Sequence, residues 1–201
     1  GSPVMVWFYG GSYANGGCGK VTEDSEELYY DMAKVAIDSK TVVVSFNYRL
    51  NLEGFLNLNF LDKNFDKSNG LFDQMAALKF IRNNIHRFGG DADNVTVFGQ
   101  SAGAACILAL LGMPEAKLLF DKAILMSPCA KSFWTEQQSE HLTRKYLGFL
   151  EVKENELYKL KDLPIWKIHE ANKKLREFVF REGNSNCAFS PVIDGEVIKG
   201  W

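Results

Sequence analysis

Gly99-Gln100-Ser101-Ala102-Gly103 fits the pattern G-x-S-x-G. A serine attacks a carbonyl only when its hydroxyl faces a cleft and fixed donors meet the negative charge that develops on the substrate oxygen. The pentapeptide follows the strand-like run Val95–Phe98 and opens the apolar stretch Ala104–Leu111, so it reads as a strand, a sharp turn and a helix. At such a turn the serine backbone is strained, and Gly99, Ala102 and Gly103 are the small neighbours that let it close. Ser101 is then presented beyond the carboxyl end of its strand, where open α/β sheets bind ligands. The helix behind it directs unpaired amides and a positive dipole end toward an oxyanion. Tyr9-Gly10-Gly11-Ser12-Tyr13 is a second candidate element. Its glycines let consecutive N–H groups approach a small charged atom; alone this describes any glycine turn, but beside Ser101 it describes an oxyanion loop. Acyl transfer is the chemistry such a pair performs.

The elements that must position these residues are short unbroken apolar runs alternating with helical patterns. Val4–Phe8, Thr41–Phe46, Val95–Phe98 and Ala123–Met126 lack polar alternation, as strands buried on both faces of a parallel sheet do. Asp24-Ser25 reads as the start of a helix carrying Leu28, Met32 and Val35. Leu71, Met75, Leu78, Ile81, Ile85 and Phe88 recur at helical spacing over nearly five turns. The alternation predicts an α/β fold, a mostly parallel central sheet flanked by helices. After about Trp134 the character changes. Between residues 151 and 182, 15 residues are charged, 8 basic and 7 acidic, so they cancel and read as the outer faces of surface helices. Ile165, Ile168, Ala171, Leu175 and Phe178 form one apolar face behind Pro164, a suitable helix start. The reading is a core over 1–133 and a helical region over 134–201 that returns to it, both in one incomplete domain.

Composition removes several function classes. A net charge of −2 over 201 residues gives no footprint for nucleic acid. Hydrophobic residues at 46% and charged residues at 24% are those of a folded globular chain rather than a disordered one. The longest apolar run, Ala104–Leu111, falls far short of the ~18 residues of a membrane span. Cys18, Cys106, Cys129 and Cys187 show no metal-site or disulfide-framework spacing, so thiols, no metal and a cytoplasmic setting are expected, with Cys106 a buried thiol. No signal or lipidation motif is visible, but Gly1-Ser2 reads as an added remnant, so the natural start is expected to be absent and secretion stays open. Asn94-Val95-Thr96 matches a glycosylation sequon but enters a strand, which argues against its use. Oligomeric state leaves no trace in the sequence.

The chain resembles the type-B carboxylesterase family, the cholinesterase-like branch of the α/β hydrolases. The resemblance runs through Pro3–Gly11, Asn47-Tyr48-Arg49-Leu50 with Gly54-Phe55-Leu56, Gly70–Gln74, Phe88–Asp91, Asp93–Gly103, Ala123–Ser127 and Pro191–Gly195, in the family's order. It implies an α/β-hydrolase fold and a serine ester hydrolase that needs no cofactor and acts through an acyl-enzyme on a small-molecule ester. It further implies Ser101 as nucleophile and the backbone N–H groups of Gly11, Ser12 and Ala102 as oxyanion donors. Gly10, Gly99, Gln100 and Gly103 then support the site, Ser127 matches a serine behind the triad, and Arg49 with Asp73 matches a structural ion pair.

Two positions depart from the family pattern. Ser12 stands where a third glycine is usual, so its amide serves only if its backbone reaches a glycine-like geometry. Gln100 stands where most members carry glutamate, which removes a negative charge beside the nucleophile and weakens the case for a cationic substrate. A serine nucleophile also needs a histidine base and an acid to orient it. By the resemblance both lie beyond Trp201, and further strands lie before Pro3, so the chain is expected to be an interior piece with weak activity alone. His86 belongs to the boundary of an amphipathic helix and His141 and His169 to the charged region, poor positions for that base. The same scaffold also carries thioesterases, amidases and non-catalytic adhesion or scaffold proteins; these last typically lack the elbow serine.

Overall fold

The computed structural model describes residues 1–19, 32–129, 133–182, 187–195 and 198. The four apolar runs are strands: β1 (Ser2–Phe8), β2 (Val42–Ser45), β3 (Gly90–Gln100) and β4 (Lys122–Met126). They form one parallel sheet in the order β2-β1-β3-β4. The register sets Val4 beside both Val42 and Val95, and Phe98 beside Ile124. Val4, Val6, Phe8, Val95 and Val97 are fully buried, as unalternating strands covered on both faces must be. The rim differs from that expectation. Ile124 is 47% and Met126 39% exposed on β4, and no residue of β2 is fully buried. Both strands are edges among the described residues, so only the central pair receives the two-sided cover the sequence pattern suggested.

Helices cover the sheet. Asp24, Ser25 and Leu28 of the expected helix lie outside the described residues; the described helix, α1 (Ala33–Ser39), starts after Met32 and buries no side chain. After the short α2 (Asn51–Phe55), α3 (Asn69–Asn84) buries Leu71, Met75, Leu78 and Ile81. The stripe was expected to continue as one helix through Phe88. Instead the chain tightens into a 3-10 turn over Ile85–Phe88 and reverses at Gly89 (φ 80°), which leaves Phe88 67% exposed. α4 (Ala102–Leu111) is apolar on every side, and all but Leu108 and Leu111 are buried between the sheet and its neighbours.

β5 (Trp134–Thr135) and β6 (Val192–Ile193) make a second, two-stranded parallel sheet. α5 (Glu136–Leu150) starts with a reciprocal cap, Gln138 N donating to Thr135 Oγ1 at 3.3 Å and Thr135 N to Gln138 Oε1 at 3.0 Å. α6 (Ile165–Arg181) follows Pro164, as the sequence indicated. Its buried face is Ala171, Asn172, Leu175 and Val179, rotated from the expected stripe, with Ile165 exposed. The cause is polar: Tyr146 Oη on α5 donates to Asn172 Oδ1 at 2.7 Å and draws that edge of α6 inward. The region is tied to the core through Asn57, whose Nδ2 donates to Ser139 Oγ at 3.0 Å and whose carbonyl accepts from Thr143 Oγ1 at 2.9 Å. Lys67 bridges Glu136 at 2.7 Å and Asp194 at 3.3 Å.

At Gly103 an added Cβ would overlap the carbonyl oxygens of Phe8 and Tyr9. Backbone cannot yield as a side chain would. Gly103→Ala is expected to lower the free energy of unfolding by about 3 kcal/mol, read as a drop in the urea midpoint at unchanged m value.

Candidate active site

β3 delivers Ser101 to the carboxyl end of the sheet, and α4 begins at the next residue. Ser101 sits at φ 55°, ψ −123°, outside the regions that ordinary side-chain-bearing residues occupy. Such a residue costs on the order of 1–3 kcal/mol and persists only where its surroundings fix it. Here they do: Ser101 N donates to Met126 O at 3.0 Å on the neighbouring strand, and Ala105 N donates to Ser101 O at 2.9 Å as α4 starts. A Cβ on Gly99 would stand 2.9 Å from both Phe8 O and Gly103 C. Gly99 and Gly103 thus let β1, β3 and α4 converge on one corner. The Ser101 side chain is half-buried rather than enclosed.

The loop after β1 lies against that corner. A Cβ on Gly10 would be 3.2 Å from Ser101 Cβ, 3.2 Å from Gln100 Oε1 and 2.8 Å from Gln100 O. Gly11, Ser12 and Tyr13 then take φ values of 117°, 56° and 59°, three successive residues in the left-handed half of the map. Ser12 therefore has the glycine-like backbone that the sequence left in question. Gly11 O accepts from Ala14 N and Asn15 N, both at 3.0 Å, which closes the loop upon itself. Among the described residues, no carbonyl accepts from the amides of Gly11, Ser12 or Ala102. Ser127 (φ 49°) follows β4, one residue past the Gln100–Met126 pair that ends the register, and is exposed.

The remaining sequence candidates fall where their patterns suggested. Arg49 Nε and Nη2 each donate to the Asp73 carboxylate at 2.8 Å, and Arg49 N does so at 2.9 Å. This bidentate pair holds the Asp73 carboxyl below its ordinary range despite partial desolvation. His86 is exposed in the 3-10 turn before β3, at the opposite end of an 11-residue strand from Ser101. At ~3.3 Å per residue that distance rules it out as a base. His141 lies on α5 in a cavity of about 250 Å³ with Trp134, Leu142 and Phe178, and His169 is exposed on α6. None of them is hydrogen-bonded to Ser101. Two neighbours of the loop were missed from sequence. The Cys187 thiol sits beside the Ser12 side chain, where burial raises its pKa and Ser12 opposes the rise. Tyr48 stacks on Tyr9 with ring centroids 4.5 Å apart.

The model of the Carboxylesterase family matches residues 1–200. The chain belongs to the carboxylesterase family. Within it, the chain is 39% identical over 196 residues to the para-nitrobenzyl esterase of Bacillus subtilis (strain 168), covering 98% of this chain and 38% of that protein. It is 43% identical over 145 residues to the fumonisin B1 esterase of Sphingopyxis macrogoltabida, covering 70% of this chain and 25% of the other. Among solved structures, a thermophilic PNB esterase superposes with a TM-score of 0.85 at 37% identity, over 99% of this chain and 39% of the other. The fold is that of the α/β-hydrolase carboxylesterases, and the chain spans less than two-fifths of the length of these curated relatives.

Behind the corner of this carboxylesterase chain lies a set of buried acids that stay protonated. Burial pushes the Cys106 thiol and the Tyr9 phenol each up to about 12, and burial raises Tyr48 well above its ordinary value. The unfolded chain releases such protons near pH ~8.5 for a thiol and ~10 for a phenol. The folded form therefore binds more protons across that window. Stability is full below about pH 8.5 and falls as pH rises toward about 12, by up to about 1.4 kcal/mol per group per pH unit. Urea titrations at increasing alkaline pH, with tyrosinate absorbance as a second readout, are expected to show midpoint loss before the buried phenols ionise.

Proposed function

We propose that the chain carries the nucleophile and oxyanion hole of a serine-dependent carboxylic ester hydrolase. The observation that carries the reading is Ser101 at φ 55° on the corner between β3 and α4, with Gly10 packed against it. Ser101 Oγ attacks the ester carbonyl carbon while its proton passes to a base. The new C–O bond turns the carbonyl oxygen into an oxyanion, held by the amides of Gly11, Ser12 and Ala102. Such donors, each worth about 2.7–4 kcal/mol of barrier, act most strongly when preset around a charge that exists only transiently. Collapse of the tetrahedral adduct breaks the bond to the alcohol oxygen, which takes the proton, and leaves an acyl group on Ser101. Water, deprotonated by the same base, then releases the acid and restores the serine.

Ser127 and the Gln100 amide supply polar support beside the nucleophile. Gln100 brings no charge to the site, which suits a neutral ester better than a choline-like cation. The ester class is also that named by the para-nitrobenzyl and fumonisin B1 esterases. None of the chain's histidines is hydrogen-bonded to Ser101, and the resemblance implies that the base and its acid come later in the family's order, so they are assigned to residues outside these 201.

The natural gene product that carries these residues is expected to take up one fluorophosphonate group per chain, mapped by mass spectrometry to Ser101. Ser101→Ala is expected to abolish labelling and to lower kcat on a p-nitrophenyl ester by about 10⁴–10⁶. Labelling at another serine, or undiminished turnover by folded Ser101→Ala, overturns the reading.

A further inference from the structure

The oxyanion loop closes on itself through Gly11 O, but Gly10 and Gly11 have no side chains and Ser12 and Tyr13 sit in left-handed backbone, so contacts from other segments help set its direction. The end of β2 and the segment after it supply such contacts. Ser45 Oγ donates to Cys18 O at 3.2 Å, Cys18 N donates to Asn47 Oδ1 at 3.0 Å, and Asn51 N donates to Tyr13 O at 2.8 Å. Asn51 Nδ2 adds a bond to Ala14 O at 3.0 Å. All four lie at or beyond Tyr13. Among the described residues, the side chain that hydrogen-bonds the root of the loop, at Tyr9 O, is that of Tyr48.

Tyr48 and Tyr9 form a reciprocal clamp. Their rings stack at 4.5 Å with planes 16° apart. Tyr48 Oη donates to Tyr9 O at 2.8 Å; Tyr9 Oη donates to Tyr48 O at 3.2 Å and accepts from Tyr48 N at 3.4 Å. The two phenols have different targets. The Tyr9 hydroxyl bonds the backbone of Tyr48. That of Tyr48 grips the carbonyl whose peptide plane ends in the Gly10 N–H, so fixing this oxygen fixes the direction in which the loop departs. The same carbonyl closes onto Gly103 at the start of α4. Tyr48 itself is anchored one residue on, where Arg49 is bound three ways by Asp73.

We infer that Tyr48 is a positioning residue of the oxyanion loop: its hydroxyl aims the amides that follow Gly10 at the oxygen of the substrate bound to Ser101. The inference rests on the proposed role of Ser101. Tyr48 touches no reacting atom; it acts through the Tyr9 carbonyl. Donor placement matters only once charge has built up on the substrate oxygen, so the loss appears in kcat and not in KM.

The test compares Tyr48→Phe with Tyr146→Phe in the natural gene product, on a p-nitrophenyl ester. Each variant removes one buried, hydrogen-bonded hydroxyl and keeps the ring, but Tyr146 donates to Asn172 on α6, outside the site. Tyr48→Phe is expected to lower kcat about 10- to 100-fold, with KM within about two-fold and an equal loss in fluorophosphonate labelling rate. Tyr146→Phe is expected to lower the urea midpoint while keeping kcat per labelled site. Equal kcat in the two variants, or a Tyr48→Phe loss that vanishes when rates are divided by titrated active sites, overturns the inference. Should Tyr48→Phe not fold, a fluorinated tyrosine at position 48 keeps the hydroxyl but ionises at lower pH. The alkaline limb of kcat is then expected to move to lower pH with KM flat, and an unmoved limb overturns the inference. Ser101→Ala separates the two claims: if it stays active the site reading fails, and if it is dead while Tyr48→Phe keeps full kcat only this inference fails.

Discussion

Three backbone segments approach each other at one corner more closely than side chains allow, and the rest of the molecule is arranged around that contact. The carbonyls of Phe8 and Tyr9 at the end of β1 meet the first turn of α4 at Gly103, while Gly99 keeps β3 within the same radius. Because α4 cannot retreat, the residue joining β3 to α4 must turn through an unfavourable conformation, and that residue is Ser101. The energy stored there, with further strain at Ser12 and Tyr13, is offset by burial of a wholly apolar helix and of the two central strands. Site and core are in this sense one structure: the packing that stabilises the fold is also what keeps Ser101 out of the ordinary regions of backbone space.

That coupling explains which parts of the fold and site were legible in the sequence. The corner was legible because its cause is local: glycines at 99 and 103, a β-branched run before them and an apolar helix after. The central strands were legible for the same reason, since burial on two faces removes polar alternation. Phe88 was misplaced because spacing alone does not show where an α-helix tightens into a 3-10 turn, a change made by the Asn84–Gly89 backbone. The face of α6 differs from the expected apolar stripe, which does not include Asn172, because that amide is buried where it accepts from a phenol on another helix. Tyr48 and Cys187 left no signal, because each meets the loop only after folding brings distant segments together. The sequence places Tyr48 in a family block but does not say that its hydroxyl reaches the Tyr9 carbonyl.

Electrostatics at the corner are quiet by comparison. The first turn of α4 contains no acidic residue, and Gln100 is neutral, so the amides at Gly11, Ser12 and Ala102 face no competing anion from those positions. The strong ion pair, Arg49 with Asp73, works one layer back, where it secures the segment that clasps the loop. Charge in this chain serves to hold backbone in place, and the polar groups of the site are peptide dipoles whose direction is set by packing.

The rim of the larger sheet has a practical meaning for anyone handling these 201 residues. Among the described residues nothing pairs with the outer side of β4, where Ile124 and Met126 stand next to a row of unused peptide groups. Lys122, the one cation on that strand, is already engaged by Asn94 Oδ1 at 2.7 Å. An uncapped strand of this kind recruits backbone from whatever molecule collides with it. Concentrated solutions should therefore turn cloudy while far-ultraviolet dichroism is still native, the precipitate built from folded subunits joined edge to edge rather than from unfolded chain.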